Sequence, residues 1–412
     1  MRDRLKEIFF PLFALVVIFN GELFTAFFVI TGMAVEAGMR ARQATLIAGI
    51  AYLMLATDTI KGRLSQRNVI QLAVLGLILV LYILTGFLYP HGFEYLYHRT
   101  YLMMYGALSV SAAYVGMRLA RGGYERRIFQ FLPYFLLVIT LSVGYLAIFR
   151  AVEGGILGRA EGDVTSYQGA SYTMSFSCAY CLFWLFFVNQ KNGVMGKIVY
   201  CFVLAMVFVS GIGCIVGGGR GAFLHLVCST GYIIYRVVSR NDRRSGLGKY
   251  FLIVAGAIVM VYLSIRFKIF ESAGAVRVAE GLTTDSARTF IRRVAIDSFL
   301  KSPIIGHGIG SIWWEVGFYS HNMLLDFLVE TGLIGAPIMV VTVCTMLIRL
   351  MKDSKTNSFD MFMLLILLAM VIEHTFSGYW IASSNMFLVF GYVYGKNRAV
   401  NHRYAQGMYG SC

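Results

Sequence analysis

FQFLPYFLLVITLSVGYLAIF, residues 129–149, runs through 21 positions without a charged side chain. About 20 apolar residues let an α-helix cross the hydrocarbon core of a bilayer. A helix satisfies its backbone hydrogen bonds internally, as lipid requires. A second window, YFLIVAGAIVMVYLSIRF at 250–267, holds one charge, Arg266. The whole chain has the same character: 412 residues, 58% hydrophobic and only 14% charged, where an average soluble domain has about 25% charged. The sequence predicts an all-α polytopic membrane protein with one integral membrane domain over residues 1–412.

Twelve candidate spans centre near residues 20, 51, 79, 110, 139, 180, 206, 229, 258, 342, 369 and 387. The N-terminal MRDRLKEIFF is basic and then apolar, like a signal peptide. No small-residue cleavage site follows and the apolar run continues toward residue 33, so it reads as a retained first span.

The net charge of +15 invites a nucleic-acid reading, but its distribution supplies another cause. Segments 1–7, 60–67, 117–127, 190–197, 236–249, 349–355 and 396–412 hold 23 of the 36 Lys and Arg residues and a minority of the 21 acids. Basic loops mark the cytoplasmic side. Both termini are therefore expected inside, and nucleic acid is not needed to explain the charge. Six of the seven cysteines fall in or beside spans, where they pack as small apolar residues. Cys178 and Cys181 have CxxC spacing, but neither a second pair nor a histidine accompanies them.

The cytoplasmic loops are short. On the outer side the first longer loop is 150–170, RAVEGGILGRAEGDVTSYQGA; the large periplasmic loop is 268–331, between spans nine and ten. Within it, DSARTFIRRVAIDSFLKSP (285–303) predicts an amphipathic helix capped by Asp285 or Ser286 and stopped before Pro303. Phe290, Ile291 and Val294 share one face, and Arg288 and Arg292, four apart, share another. After the turn GHGIGS (306–311), SHNMLLDFLVETGLIG (320–335) predicts a second helix, starting near Ser320 and ending at Gly332. Leu324, Leu325 and Leu328 give it an apolar face suited to the membrane interface.

Four residues stand out as candidates for chemistry. With Ser320 as cap, His321 falls in the first turn, where the positive helix dipole disfavours imidazolium and keeps a general base neutral. The plainer alternative is a histidine bonded to a loop carbonyl. Arg220, in GGGRGAF at a span end, sits among glycines that leave room for a ligand. Arg159, in the first outer loop, and Arg288 add two more planar forks suited to phosphate oxygens. Lipid anchoring, a solvated helix face and an ordinary loop charge are the bland readings of Arg220, Arg288 and Arg159. Glu373 and His374 are ionisable at membrane depth and are candidates on that ground, or they pair with each other. His307, His91 and His98 have no partner at metal spacing. HExxH, Walker and dinucleotide glycine motifs are absent, so the sequence implies neither metal nor cofactor.

The stretch from Arg288 through PIIGHGIGS to SHNMLLDFLVETGLIG resembles the signature region of the O-antigen ligase and O-antigen polymerase superfamily. The pattern His-Asn, nine residues, Gly, two residues, Gly is met by His321, Asn322, Gly332 and Gly335. Upstream, Gly219, Arg220, Gly221 and Ala222 match a second element, with glycine where the family usually has serine. The resemblance spans 215–336. It implies a metal-independent glycosyltransferase of the bacterial inner membrane, active on the periplasmic side, with a glycan on undecaprenyl pyrophosphate as donor. Arg159, Arg220 and Arg288 would hold the pyrophosphate and His321 would deprotonate or orient the acceptor hydroxyl. SYQGAS (166–171) looks like a polymerase segment, so polymerisation of O-antigen, capsule or exopolysaccharide repeat units is the first expectation. Transfer to lipid A-core by a ligase is the alternative. Expected partners are the lipid-linked oligosaccharide, the bilayer and a chain-length-regulating membrane protein. A twelve-span transporter or flippase is the rival from another class. Its largest soluble element would then lie outside, between spans nine and ten, an unusual place for a carrier.

Overall fold

The structure is a computed structural model describing residues 2–31, 108–109, 111–153, 167–188, 193–239, 262, 276, 287–308, 311–317, 319–380 and 383–409. The described residues form helices and no strand. In chain order these are α1 (Arg2–Ile18), α2 (Asn20–Thr31), α3 (Glu125–Val152), α4 (Tyr167–Phe187), α5 (Val194–Gly217), α6 (Arg220–Ser239), α7 (Ala287–Lys301), α8 (Ile312–Glu315), α9 (Met323–Asp353), α10 (Ser358–Phe376) and α11 (Ser384–Tyr409).

Six of them, α3, α4, α5, α6, α9 and α10, contain stretches long and apolar enough to cross a membrane. They answer the expected spans near 139, 180, 206, 229, 342 and 369. The spans expected near 51, 79 and 258 lie outside the described residues, and the one near 110 lies there in part. The span expected near 20 is divided at Phe19 into α1 and α2, of 17 and 12 residues. α11 is apolar only in its first half, before Lys396.

α10 is the central post. Its residues from Phe359 to Leu367 are all buried and, Asp360 apart, all apolar, as a core helix requires. Phe359 and Phe362 meet Phe129 of α3, and Phe362 also meets Tyr180 and Phe183 of α4. Small residues let backbones approach where side chains would hold them apart. A Cβ on Gly391 or Gly395 of α11 would run into the backbone at Ala113 or Met117, in the helical run 111–119. Cys178 and Cys181 are free and buried in α4.

Hydrogen bonds orient the bundle. At one end Arg236, in the last turn of α6, donates to the Ser354 carbonyl just past α9 (3.1 Å), and Ser358 of α10 donates to the Phe187 carbonyl of α4 (3.3 Å). Lys396 of α11 reaches Asp353 at 2.8 Å and Asp360 at 2.7 Å. That end carries the basic segments 117–127, 236–239 and 349–355. The other end gathers the starts of α4, α6, α9 and α11 with the finish of α10.

The two helices α7 and α9 divide their faces as follows. In α7 the inward face carries Arg288, Arg292, Ala295 and Ser298, while Phe290, Ile296 and Leu300 are exposed. In the first turns of α9 the buried face is Met323, Asp326, Phe327 and Glu330, and Leu324 is exposed. In both helices the protein-facing side mixes polar and small or apolar groups, and several large apolar side chains are left on the outer side, where a lipid surround would accept them.

Candidate functional site

The loop before α9 is built on hydrogen bonds that the chain makes to itself. Asn322, and not Ser320, is the N-cap: its side chain accepts from the N–H groups of Leu324 and Leu325 at 3.1 and 3.3 Å. Ser320 instead gives its backbone N–H (2.9 Å) and its hydroxyl (2.6 Å) to the same oxygen of Asp326, one turn into the helix. His321 is pinned between these two anchored neighbours. Its φ of 56° places it in the left-handed region, the one non-glycine residue there among those described. Such a conformation costs energy and persists when its surroundings fix it.

The anchored turn aims the imidazole at the end of α10. Nδ1 of His321 lies 3.1 Å from the Ser377 carbonyl, so Nδ1 carries the hydrogen that is donated and Nε2 holds the lone pair. Arg288 of α7 donates through Nη1 to the neighbouring carbonyl, that of Phe376, at 2.9 Å. Two consecutive carbonyls therefore bring a guanidinium and an imidazole together from separate elements. Burial first, and then the positive charge of Arg288, push the imidazole down from its ordinary value to about 4, while the bond to Ser377 acts the other way. The ring is neutral near pH 7. The sequence reading reached that state from the helix dipole; burial and arginine charge are the causes, since His321 precedes the helix.

The turn Phe376–Trp380 is the hub. Ser377 donates its hydroxyl to Gln168 at the start of α4 (2.6 Å), inside the SYQGAS segment. Glu330 of α9 accepts from the Tyr379 hydroxyl and from the Trp380 indole N–H, the latter at 3.1 Å. Tyr319 stacks on Tyr379 and meets the His321 ring edge-on, with centroids 4.5 Å apart. Gly221 lies so close that a Cβ there would sit 2.9 Å from the Cβ of Phe376. The start of α6 is thus set against the hub, with Arg220 as its first, exposed residue. Gly217 and Gly219 serve a further end: each makes room for Ser171 of α4, whose hydroxyl accepts from the Gly219 N–H at 3.0 Å.

A second set of bonds seats α7 against α9. Gly332 takes φ 62° and ψ −164°, a glycine conformation, and breaks the helical ladder of α9. The freed N–H groups of Leu333 and Ile334 donate to the carbonyls of Pro303 and Ile304 (2.8 and 3.2 Å). The carbonyls of Val329 and Glu330 accept from the N–H groups of His307 and Gly308 (2.9 and 2.8 Å). Gly332 was expected to end the helix. It opens a gap that the loop after α7 fills, and the helix then resumes. His307 is held there by the Ser298 carbonyl (2.9 Å) and lies 3.7 Å from Glu315.

Of the residues singled out from sequence, His321 and Arg288 meet, Arg220 stands at a helix start packed on the same hub, and Arg159 lies outside the described residues. Glu373 sits beneath them. Its backbone carbonyl accepts from the Ser377 N–H at 2.6 Å. His374 is buried against Gly378. Three residues went unmarked as site members. Arg292 is one turn beyond Arg288, its charge reaches His321, and its Nε is buried with no hydrogen-bond partner among the described residues. Asp326 and Glu330 are acids on the buried side of an apolar helix, four apart, and that spacing was the available signal.

The assembly is a basic, arginine-lined site around a neutral imidazole, set at the ends of the helices of a multi-pass membrane protein. Residues 204–340 match the family model of O-antigen ligase, which enclose Arg220, Arg288, His321 and the glycine kink. The resemblance to the O-antigen ligase and polymerase superfamily, read from 215–336, is thereby shown. Neither the curated proteins nor the solved structures contain a match to the chain.

Proposed function

We propose that the protein transfers a glycan from an undecaprenyl-pyrophosphate-linked donor to a sugar hydroxyl on the periplasmic face of the bacterial inner membrane, polymerising repeat units of an O-antigen, capsule or exopolysaccharide. The observation that carries this reading is the placement of Arg288 and His321 on consecutive carbonyls at the end of α10. The acceptor oxygen attacks the anomeric carbon of the donor sugar as its proton passes to Nε2 of His321. The bond from that carbon to the pyrophosphate oxygen breaks, and its electrons leave with the pyrophosphate. Arg288 and Arg292, with Arg220 and Arg159, meet the charge that develops there, where fixed donors are most effective. The Phe376 carbonyl holds one edge of the Arg288 fork and so fixes its orientation. No metal is assigned a part. The match to the O-antigen ligase family favours transfer over transport.

Ligation to lipid A-core is the second reading, favoured by the ligase description of the matched family. Polymerisation is favoured by the SYQGAS segment, whose Gln168 joins the hub through Ser377. Purified protein, lipid-linked donor and either a second lipid-linked repeat unit or lipid A-core as acceptor decide between them. Longer lipid-linked chains are expected with the first acceptor, without added metal and in the presence of EDTA. Wild-type turnover by His321→Ala would remove the imidazole from the reaction. A reporter fused at residue 275 should read periplasmic and one at residue 405 cytoplasmic; the reverse would overturn the proposed side of action.

A further inference from the structure

At the end of the bundle away from His321, the starts of α3 and α5, the end of α4 and the turn between α9 and α10 enclose a cleft of about 1310 Å³. Small-molecule pockets run to roughly 300–1,000 Å³, so the space suits something longer. Its floor is aromatic: Trp184, Phe187 and Phe359 are buried core residues that also line it. The polar groups there are already engaged. The Trp184 indole N–H donates to the Phe129 carbonyl (2.9 Å), Asn357 caps α10 through the Phe359 N–H (2.7 Å), and Ser358 bonds to the Phe187 carbonyl. Toward the outside, Tyr134, Val194 and Met195 remain more than half exposed.

The charge lies at the rim. Arg126 and Arg127 are exposed, and the bond from Arg127 to Gln130 is long at 3.4 Å. Glu125, half-buried, also borders the cleft. A ligand here meets two guanidiniums first and aromatic hydrocarbon behind them. On the proposed topology this rim stands at the level of the cytoplasmic headgroups, where basic pockets between spanning helices hold anionic lipid.

We propose that this cleft is a binding site for an anionic phospholipid of the cytoplasmic leaflet, its phosphate between Arg126 and Arg127 and an acyl chain against Trp184 and Phe359. The site is separate from the transfer site, and its occupancy does not depend on the reaction. It would brace the helix ends that border the cleft.

The test uses the full-length protein in one detergent. Phosphatidylglycerol should raise the thermal unfolding midpoint and remain bound through purification, as read by lipid mass spectrometry, whereas phosphatidylcholine should do neither. The double variant Arg126→Gln/Arg127→Gln should lose the difference between the two lipids. Gly193→Trp, at a residue that lines the cleft, adds bulk without altering charge: a Cβ there meets no described atom within 4 Å and its φ of 163° is extended. That variant should lose retained lipid altogether. Equal stabilisation by both lipids, wild-type retention in both variants, or the same shift from inorganic phosphate alone would overturn the proposal.

Discussion

Asp326 takes both the amide and the hydroxyl of Ser320 on one carboxylate oxygen, with both residues fully buried. His321 is the next residue after Ser320, so the carboxylate sets the imidazole without touching it. Asp326→Ala would leave the Ser320 N–H buried and unmatched, at about 1–3 kcal/mol, and would let His321 leave its left-handed conformation. Transfer should then fall nearly as far as in His321→Ala, with donor KM little changed because the arginines stand on α7. Asp326→Asn keeps an acceptor oxygen and should recover much of kcat. Wild-type kcat in Asp326→Ala would show that the turn holds its shape unaided.

The kink at Gly332 predicts a stability effect separable from chemistry. A Cβ there would run into the Ile304 backbone, and the glycine-only backbone angles add about 1–3 kcal/mol of strain for any other residue. Gly332→Ala should therefore lower the unfolding midpoint and the folded yield in detergent. Gly335→Ala should do so less, since Gly335 is not at a positive φ and its Cβ would meet the Thr331 side chain and not a backbone, although the Thr331 Cβ would lie only 2.4 Å away. Equal midpoints for the two variants would mean that the gap in α9 tolerates repacking.

The spacing of His321, Asn322, Gly332 and Gly335 was legible in the sequence as a pattern that resembles a known family; of its local causes the break at Gly332 could be read, whereas the cap falls on Asn322 and not on Ser320. The apolar windows behind the six described spans were legible because lipid demands length and lack of charge. The facing of α7 and α9 was not. Periodicity separates two faces of a helix but does not say which meets protein. Arg292 and the Phe376–Trp380 turn were hidden because their roles depend on contacts between distant parts of the chain, across 88 residues between Arg288 and Phe376 and 209 between Gln168 and Ser377.

Arg292 carries a buried Nε without a partner among the described residues, a state folded proteins rarely leave unfilled. A bound pyrophosphate would supply the acceptor. Arg292→Ala should thus raise donor KM more than it lowers kcat, and Arg292→Lys should rescue poorly because a point charge cannot reproduce the planar fork. Arg288→Ala should depress both constants, since that side chain also grips the Phe376 carbonyl beside the hub. The split is read from initial rates over a donor series. An unchanged donor KM in Arg292→Ala would place that guanidinium outside the donor site.

The last prediction concerns pH. In the free protein His321 is pushed down to about 4 by burial and then by Arg288, with Arg292 adding to it. A base works in its neutral form, and kcat/KM reports ionisations of the free enzyme. It should therefore stay level as pH falls from neutral and drop only near pH 4. A bound pyrophosphate neutralises the two guanidiniums, so the imidazole in the complex protonates more readily and its value rises. The acid limb of kcat should accordingly lie at higher pH than that of kcat/KM. Between the two limbs the donor binds together with a proton, so KM should fall as kcat falls. Arg288→Ala removes the second cause and leaves burial, which should move the kcat/KM limb upward toward, but not to, the ordinary value of 6.5. Rates measured in a constant-ionic-strength buffer series from pH 3.5 to 8, a range chosen to span roughly both limbs, separate these curves. A kcat/KM limb near 6.5 in the wild-type protein would mean that the imidazole is solvated during turnover, and the buried geometry at Ser377 would not be the working one.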